Sequence, residues 1–312
     1  MERAVIGIIG PTATGKTAMG IEVAREFNGE IISADSMAVY KGLDIGTAKP
    51  SSDEQSRAVF HLINVVEPSM HFSVADFRIL AQEAISDITA RGRLPIVVGG
   101  TGLYIKSLTG EFNIPAVEPD LALREKLRSE AEEFGGRHLL ERLETIDPGT
   151  ADRLHERDIT RIIRAIEVYE QTGKPMSHFH STEGSVDVPY DIKLFGLSMD
   201  RETLYRRIED RIDQQLKDGL VDEVKSLEEM GLSADMSSMK GLGYKQIIGF
   251  LNGEYDFDTA IDHFKRDTRR FAKRQMTWFR SQSNIEWINV DSRDIDASLD
   301  ALKAGIRSIL KT

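Results

Sequence analysis

Residues 10 to 17 read GPTATGKT. Gly10, Gly15, Lys16 and Thr17 occupy the fixed positions of G-x-x-x-x-G-K-[ST], with Pro11, Thr12, Ala13 and Thr14 between them. This spacing suits a phosphate cradle. Glycines let the backbone wrap an anion, amide N–H groups point inward, a lysine adds charge and a hydroxyl can hold Mg²⁺. With Gly near 7% of residues, chance puts the pattern in about one chain in a hundred. Its setting adds weight. AVIGII (4–9) precedes it as a buried-strand run. AMGIEVAREFNG follows, apolar at Ala18, Ile21, Val23, Ala24 and Phe27, with Asn28-Gly29 as a helix stop. The chain therefore binds a nucleotide or another diphosphate. It transfers the phosphoryl group, hydrolyses it, or discards it as a leaving group.

Other residues that can do chemistry follow later apolar runs. EIISA (30–34) leads into DSMAVYKGLDIGTAKP, which puts Asp35 and Ser36 at a strand end. A carboxylate there can be a general base, a Mg²⁺ ligand or a helix N-cap. Lys49, in GTAKP, meets phosphate or is a solvated turn lysine. A further run, PIVV (95–98), ends in Gly99-Gly100-Thr101. A Walker B strand would end in an acid, and no NKxD-type segment is present, which counts against a motor ATPase or a GTPase. The Gly-Gly-Thr turn permits close backbone approach, with the Thr101 hydroxyl bridging ligand groups or capping the turn. The seven histidines form no convincing metal set; HFH (178–180) is read as a loop.

Composition narrows the partners. The chain has 312 residues, a net charge of −11 and no cysteine, which excludes disulfides, thiol catalysis and cysteine-bound zinc. No apolar run is long enough to span a membrane and no secretory leader is evident, in keeping with a cytoplasmic protein; a monomer is expected. Charge is unevenly spread. Residues 265–280, KRDTRRFAKRQMTWFR, hold seven Lys/Arg and one Asp, so the remaining residues carry a net −17. On a helix, Phe257, Ile261, Phe264, Thr268, Phe271, Ala272, Gln275 and Phe279 form an inward stripe. Lys265/Arg266, Arg269/Arg270 and Lys273/Arg274 recur every four residues outside it, a ridge fit to track nucleic-acid phosphates. Gln275, on the apolar stripe, must be hydrogen-bonded inside or meet a ligand. Trp278 and Trp287 are read as packing residues.

These groups must be positioned by a scaffold. Six β-branched runs recur: 4–9, 30–34, FHLINV (60–65), 95–98, IKLFGL (192–197) and IEWINV (285–290). Helical patterns alternate with several of them. One is 73–92, with Ser73 and Asp76 as a capping pair and Val74, Phe77, Leu80, Ala81, Ala84, Ile85 and Ile88 as its stripe. This predicts an α/β fold of the P-loop NTPase type, a parallel sheet with helices on both faces and ligands at the carboxyl ends of its strands. Residues 1–112 and 186–312 would form that core, with the basic helix at 257–281. Residues 113–185 read as helical throughout, an inserted helical domain between the fourth and fifth strands. A long helix follows from DRETLYRRIEDRIDQQL, with Leu204, Ile208, Ile212 and Leu216 in register.

GPTATGKT, ISADSMAVYKGLDIGTAKP, VVGGTGLY, DITRIIRAIEVYEQTGKP, GLGYKQI and TRRFAKRQMTWFR occur in one order from about residue 5 to residue 280. Together they resemble the tRNA dimethylallyltransferases, also called tRNA isopentenyltransferases. The resemblance implies transfer of a dimethylallyl group from dimethylallyl diphosphate to N6 of adenine 37, beside the anticodon of tRNA. The cradle would then hold a leaving diphosphate with Mg²⁺ at Thr17, and no phosphoryl group would move. By similarity Asp35 is the base and Thr101 lies near the reacting groups. Arg207 binds diphosphate, and Ser36, Met37, Ala38, Arg124 and the segment Thr160, Arg161, Ile162, Ile163, Arg164 match tRNA-contacting positions. The helical insertion would clamp the anticodon stem-loop, and Arg269, Arg270, Lys273, Arg274 and Gln275 extend the RNA surface. Many members carry Gln where this chain has Ala38. Other readings are a P-loop small-molecule kinase, a prenyltransferase acting on free adenine nucleotide, and an RNA-binding module with a vestigial cradle. The basic ridge argues against the first two, and the complete Lys-Thr motif against the third.

Overall fold

In a computed structural model, which describes residues 4–110, 115, 117–180 and 188–311, the chain divides into two compact units. Met1–Leu108 together with Pro189–Thr312 form one, and Thr109–Val188 the other. The first is built on six parallel strands: β1 (Ala4–Ile9), β2 (Gly29–Ala34), β3 (Phe60–His61), β4 (Leu94–Gly99), β5 (Asp191–Ser198) and β6 (Ile285–Asn289). Their order across the sheet is β3-β2-β4-β1-β5-β6. Helices cover both faces, which is why these runs are apolar throughout and do not alternate. The side chains of Ile6, Ile8, Ile31 and Ile96 are buried in the core of this unit.

Register brings the chemistry to one edge. Ile9 lies opposite Gly99 and Gly196, and Ala34 opposite Gly99. The residues that leave β1, β2 and β4 are Gly10, Asp35 and Gly100, so all three start from the same rim. Gly10 has φ +145°, and a Cβ there would run into the Leu197 carbonyl of β5. Only glycine allows the cradle to leave the sheet at this point. The helix that follows spans Lys16–Glu26.

The third strand is shorter than its sequence suggests. FHLINV pairs only at Phe60 and His61. Leu62 and Asn64 take φ of 62° and 57°, so the chain turns while Leu62 stays buried. The helix Val74–Ala90 carries the expected reciprocal cap between Ser73 and Asp76. Trp278 packs on Gly102 and Trp287 on Gly196. No helix among the described residues is long and apolar enough to cross a membrane.

The second unit is helical. Leu121–Phe134, Gly136–Ile146 and Ile159–Thr172 enclose a core of Leu127, Leu139, Leu140, Leu143, Ile162, Ile163 and Ile166. HFH belongs to a short helix, Met176–His180, and not to a loop. Within the unit, Glu167 is fully buried. Arg124 grips it through two bonds of 2.8 Å, Arg164 donates at 2.6 Å and the Asp120 amide at 2.8 Å. Burial alone would raise the Glu167 carboxyl; the hydrogen bonds from Arg124 and Arg164 outweigh it and hold the group below its usual range.

Glu167→Ala would leave two guanidiniums without their shared carboxylate, a loss of about 3 kcal/mol for a buried pair. Amides of the helix Ile159–Thr172 are expected to exchange faster while those of β1 and β4 do not change. Unaltered exchange in that helix would show that the bridge contributes little.

Candidate active site

The cradle is a folded loop with internal bonds. Thr14 Oγ1 donates to the Pro11 carbonyl at 2.9 Å, and Lys16 Nζ donates to the same oxygen at 2.7 Å. The helix Arg201–Lys217, capped by Asp200, lays two arginines against it one turn apart. Arg207 Nε donates to the Ala13 carbonyl at 2.9 Å. Arg211 donates to Thr12 Oγ1 and to the Thr47 carbonyl, each at 3.3 Å. Sequence reading found Arg207 and missed Arg211. Its signal was the four-residue spacing in RRIEDR, which puts both on one helical face.

Two neighbouring cavities open on the rim. One, of about 300 Å³, is lined by Thr12, Asp35, Thr101 and Arg211, with Ile208, Ile212, Phe264 and Phe271 as apolar wall. The other, of about 100 Å³, is lined by Lys16, Thr17, Asp35, Arg211 and Gln275. A polar rim beside an apolar wall suits a small ligand with one charged and one greasy end. Burial, and secondarily the Arg211 charge, push the Lys16 ammonium down to about 7, with Asp35 opposing. Burial lowers Arg211 as well, again against Asp35. The site is therefore short of negative charge.

Asp35 is the one carboxylate common to both cavities. Its Oδ1 accepts from the Met37 amide at 2.9 Å, which caps a turn and not a helix. That bond occupies one oxygen; a carboxylate has a second. The Ser36 amide donates to Thr101 Oγ1 at 3.1 Å, so the two strand-end loops are tied together beside Asp35.

The loop 43–50 closes the rim from another side. Glu223 accepts the amides of Asp44, Ile45 and Gly46 at 2.8 to 3.0 Å and the Tyr244 hydroxyl at 2.6 Å. Gln215 donates to the Ile45 and Gly46 carbonyls at 2.6 and 2.9 Å. Lys49 is not a solvated turn lysine, and it lines the smaller cavity together with Lys16 and Thr17. Its side chain is 3% exposed and its ammonium is shared among Asp44, Asn64 and the Tyr40 carbonyl. It braces the loop from within.

The basic helix, Phe257–Arg280, buries Ala260, Phe264, Thr268, Ala272, Gln275 and Phe279, whereas Phe257 is exposed. Its ridge is less uniform than its sequence implies. Lys265 pairs with Asp213 at 2.6 Å and Arg269 with Glu209, both acids coming from the helix Arg201–Lys217. Arg270, Lys273 and Arg274 are exposed, and among the described residues Lys273 and Arg274 pair with no carboxylate. Gln275 points inward, away from that exposed ridge. Its Oε1 accepts the Thr12 amide at 2.9 Å and its Nε2 donates to the Gly100 carbonyl at 2.9 Å.

Other expected RNA contacts separate in the same way. In the helical unit Thr160 and Arg161 are exposed, but Ile162 and Ile163 are core residues that present no surface. Arg124 and Arg164 are committed to Glu167. Ala38 is buried, so its methyl packs inside the loop, and Met37 is half-buried.

Fold and rim together define a P-loop-type α/β transferase. A model described as IPP transferase matches residues 38–282, and one described as isopentenyl transferase matches residues 3–64. A tRNA dimethylallyltransferase from Acetivibrio thermocellus is 50% identical over 95% of this chain and 94% of its own. Another, tRNA dimethylallyltransferase 2 from Geotalea daltonii, is 47% identical over 91% and 87%. Among solved structures, the tRNA isopentenylpyrophosphate transferase of Bacillus halodurans superposes with TM-score 0.75 at 39% identity, covering 99% of this chain and 97% of that one. A eukaryotic dimethylallyltransferase described as acting on tRNA superposes with TM-score 0.82 at 29% identity, covering 99% and 80%. The chain belongs to the tRNA dimethylallyltransferase family and is a prenyltransferase.

Lys16 gives the site a pH signature. With its ammonium near 7, the free protein holds it partly neutral there, and a bound anion raises that value. Binding above neutrality must then take up a proton. Affinity for an unreactive alkyl diphosphate is expected to fall by up to about tenfold per pH unit between about pH 7 and about pH 9. Lys16→Arg should flatten the profile, because arginine stays charged. Calorimetry in buffers of different ionisation enthalpy reads the proton directly; a flat wild-type profile would contradict the assignment.

Proposed function

We infer that this protein transfers the dimethylallyl group of dimethylallyl diphosphate to N6 of adenine 37, beside the tRNA anticodon, and releases diphosphate. One observation carries the reading: Asp35 and Arg211 line both the cavity that holds Lys16 and Thr17 of the cradle and the neighbouring cavity with the apolar wall. β4, beside the cradle, ends at Gly99 and runs into Gly100-Thr101, which supplies no acid for nucleotide hydrolysis. Family membership supports the same conclusion.

The chemistry needs charge at one end and a base at the other. The bond between the allylic carbon and the bridging oxygen breaks, and its electron pair goes to the diphosphate. The adenine N6 lone pair forms the new carbon–nitrogen bond, and N6 gives up one proton. Lys16, Arg207, Arg211 and the cradle amides meet the charge that gathers on the leaving group, where preorganised donors are worth most. Asp35 takes the proton from N6 as the bond forms. The tie between Ser36 and Thr101 holds the Asp35 turn against the β4 turn. Ile208, Ile212, Phe264 and Phe271 shield the five-carbon chain.

Mg²⁺ fits the donors present. Thr17 and Asp35 offer hydroxyl and carboxylate oxygen, and among the described residues no cluster of three His, Asp or Glu forms an all-protein cage. Mg²⁺ is usually held by one or two such groups plus phosphate oxygens. Thr17 would hold it, and when bound it would neutralise part of the diphosphate charge.

RNA would lie on the exposed cations Arg270, Lys273 and Arg274, with the target base turned out of its stack to reach the cavity. We place the reaction in the cytoplasm, with a monomer as the acting unit.

Asp35→Asn preserves the turn but accepts no proton. Single-turnover transfer at saturating substrates is expected to fall by about 10² to 10⁴, with tRNA still bound. A rate within about threefold of wild type would remove Asp35 from the chemistry, and rescue by added Mg²⁺ would make it a metal ligand. On the ridge, Lys273→Gln or Arg274→Gln should lower the salt slope of stem-loop binding by roughly 0.7 to 0.9. Arg269→Gln should lower it less, because Arg269 already has Glu209. Equal slopes in all three variants and wild type would place RNA elsewhere.

A further inference from the structure

We propose that Gln275 is a positioning residue that sets the spacing between the diphosphate cradle and the Gly100–Thr101 turn. Its amide bridges two loops that leave the adjacent strands β1 and β4, and ties them beyond the point where strand register ends. The carbonyl end takes the Thr12 amide and the NH₂ end reaches the Gly100 carbonyl, each at 2.9 Å. The side chain is buried, 8% exposed; the bond to Gly100 is fully buried and the bond to Thr12 partly so. A Cβ on Gly100 would collide with the Gln275 amide nitrogen, so a side chain there would displace this contact.

The bridge sits between the two halves of the reaction. Thr12 belongs to the cradle and is held on its other side by Arg211. Gly100 precedes Thr101, whose hydroxyl fixes Ser36 beside Asp35. A shift at Gln275 therefore changes the distance from leaving group to base, while the exposed face of the helix is untouched. Gln275 stands on the same helix as Arg270, Lys273 and Arg274, so the element that faces RNA also carries the spacer. Misplacement of reacting groups by fractions of an ångström is costly in rate even where binding is intact.

The inference rests on the prenyl-transfer reading, and its test separates the two. Gln275→Met keeps length and removes both bonds. Gln275→Glu keeps the acceptor for Thr12 but, when ionised, faces the Gly100 carbonyl with a charge. When protonated, its O–H donates to Gly100 and restores both bonds. Lys16, Asp35, Lys49 and Arg211 line the cavity beside Gln275 in both proteins, so rates are compared with wild type at each pH.

Gln275→Met is expected to slow single-turnover dimethylallyl transfer about tenfold or more, from two lost bonds that are buried or partly buried. Stem-loop affinity should stay within about twofold. Gln275→Glu should be similarly slow at neutral pH and approach wild type as pH falls. A Gln275→Met rate within about threefold of wild type would overturn the proposal. So would a ratio of Gln275→Glu to wild type that does not change with pH, which also decides the matter should the methionine variant not fold. No transfer by wild type would instead overturn the function itself.

Discussion

The burial of two neighbouring cations, Lys16 and Arg211, is the constraint on which the site depends. Both are drawn into a poorly solvated rim at the carboxyl end of β1, and burial disfavours the charge of each. Asp35 is the one carboxylate shared by their cavities. Such an arrangement costs stability in the free protein; Asp35 opposes that cost at both groups, and a bound anion of higher charge would oppose it further. A diphosphate that becomes more negative as its carbon departs is stabilised most at the moment of bond breaking, which is the condition for catalysis as opposed to mere binding.

Holding two cations in place requires rigid surroundings, and much of the polar side chemistry near the rim serves that end. Glu223 and Gln215 fix the loop 43–50, which supplies the Thr47 carbonyl to Arg211. Lys49 braces the same loop from inside. Gln275 joins the cradle to the β4 turn, and Thr101 joins that turn to the segment bearing Asp35. These bonds link β1, β2 and β4 ends through side chains, where register alone aligns only the backbones. The apolar wall comes from the same two helices that carry the arginines and the exposed cations of the ridge.

The sheet was legible because apolar runs between turn residues have few other uses. β1, β2, β4, β5 and β6 lie where those runs fall, within a residue or two. β3 was overextended because a β-branched run does not announce the positive φ at Leu62 and Asn64. The cradle was legible because its physics fixes residue types at fixed spacing. What depended on partners far along the chain was not. Lys265 and Arg269 read as free cations until the helix Arg201–Lys217 placed Asp213 and Glu209 against them. Ile162 and Ile163, inside TRIIR, follow the helical period of a core, and that period was the better guide than their place between two arginines.

The central claim is that the cradle holds a leaving group and that carbon, not phosphorus, is transferred. It is tested most directly by one turnover with dimethylallyl diphosphate carrying heavy oxygen at the bridge between carbon and phosphorus. Mass spectrometry then follows that label and the tRNA nucleosides together. The account predicts that the heavy oxygen leaves wholly in the released diphosphate and that one adenosine gains the five-carbon group and no phosphate. Heavy oxygen left in dimethylallyl alcohol, or phosphate released from ATP with no prenylated adenosine formed, would contradict it.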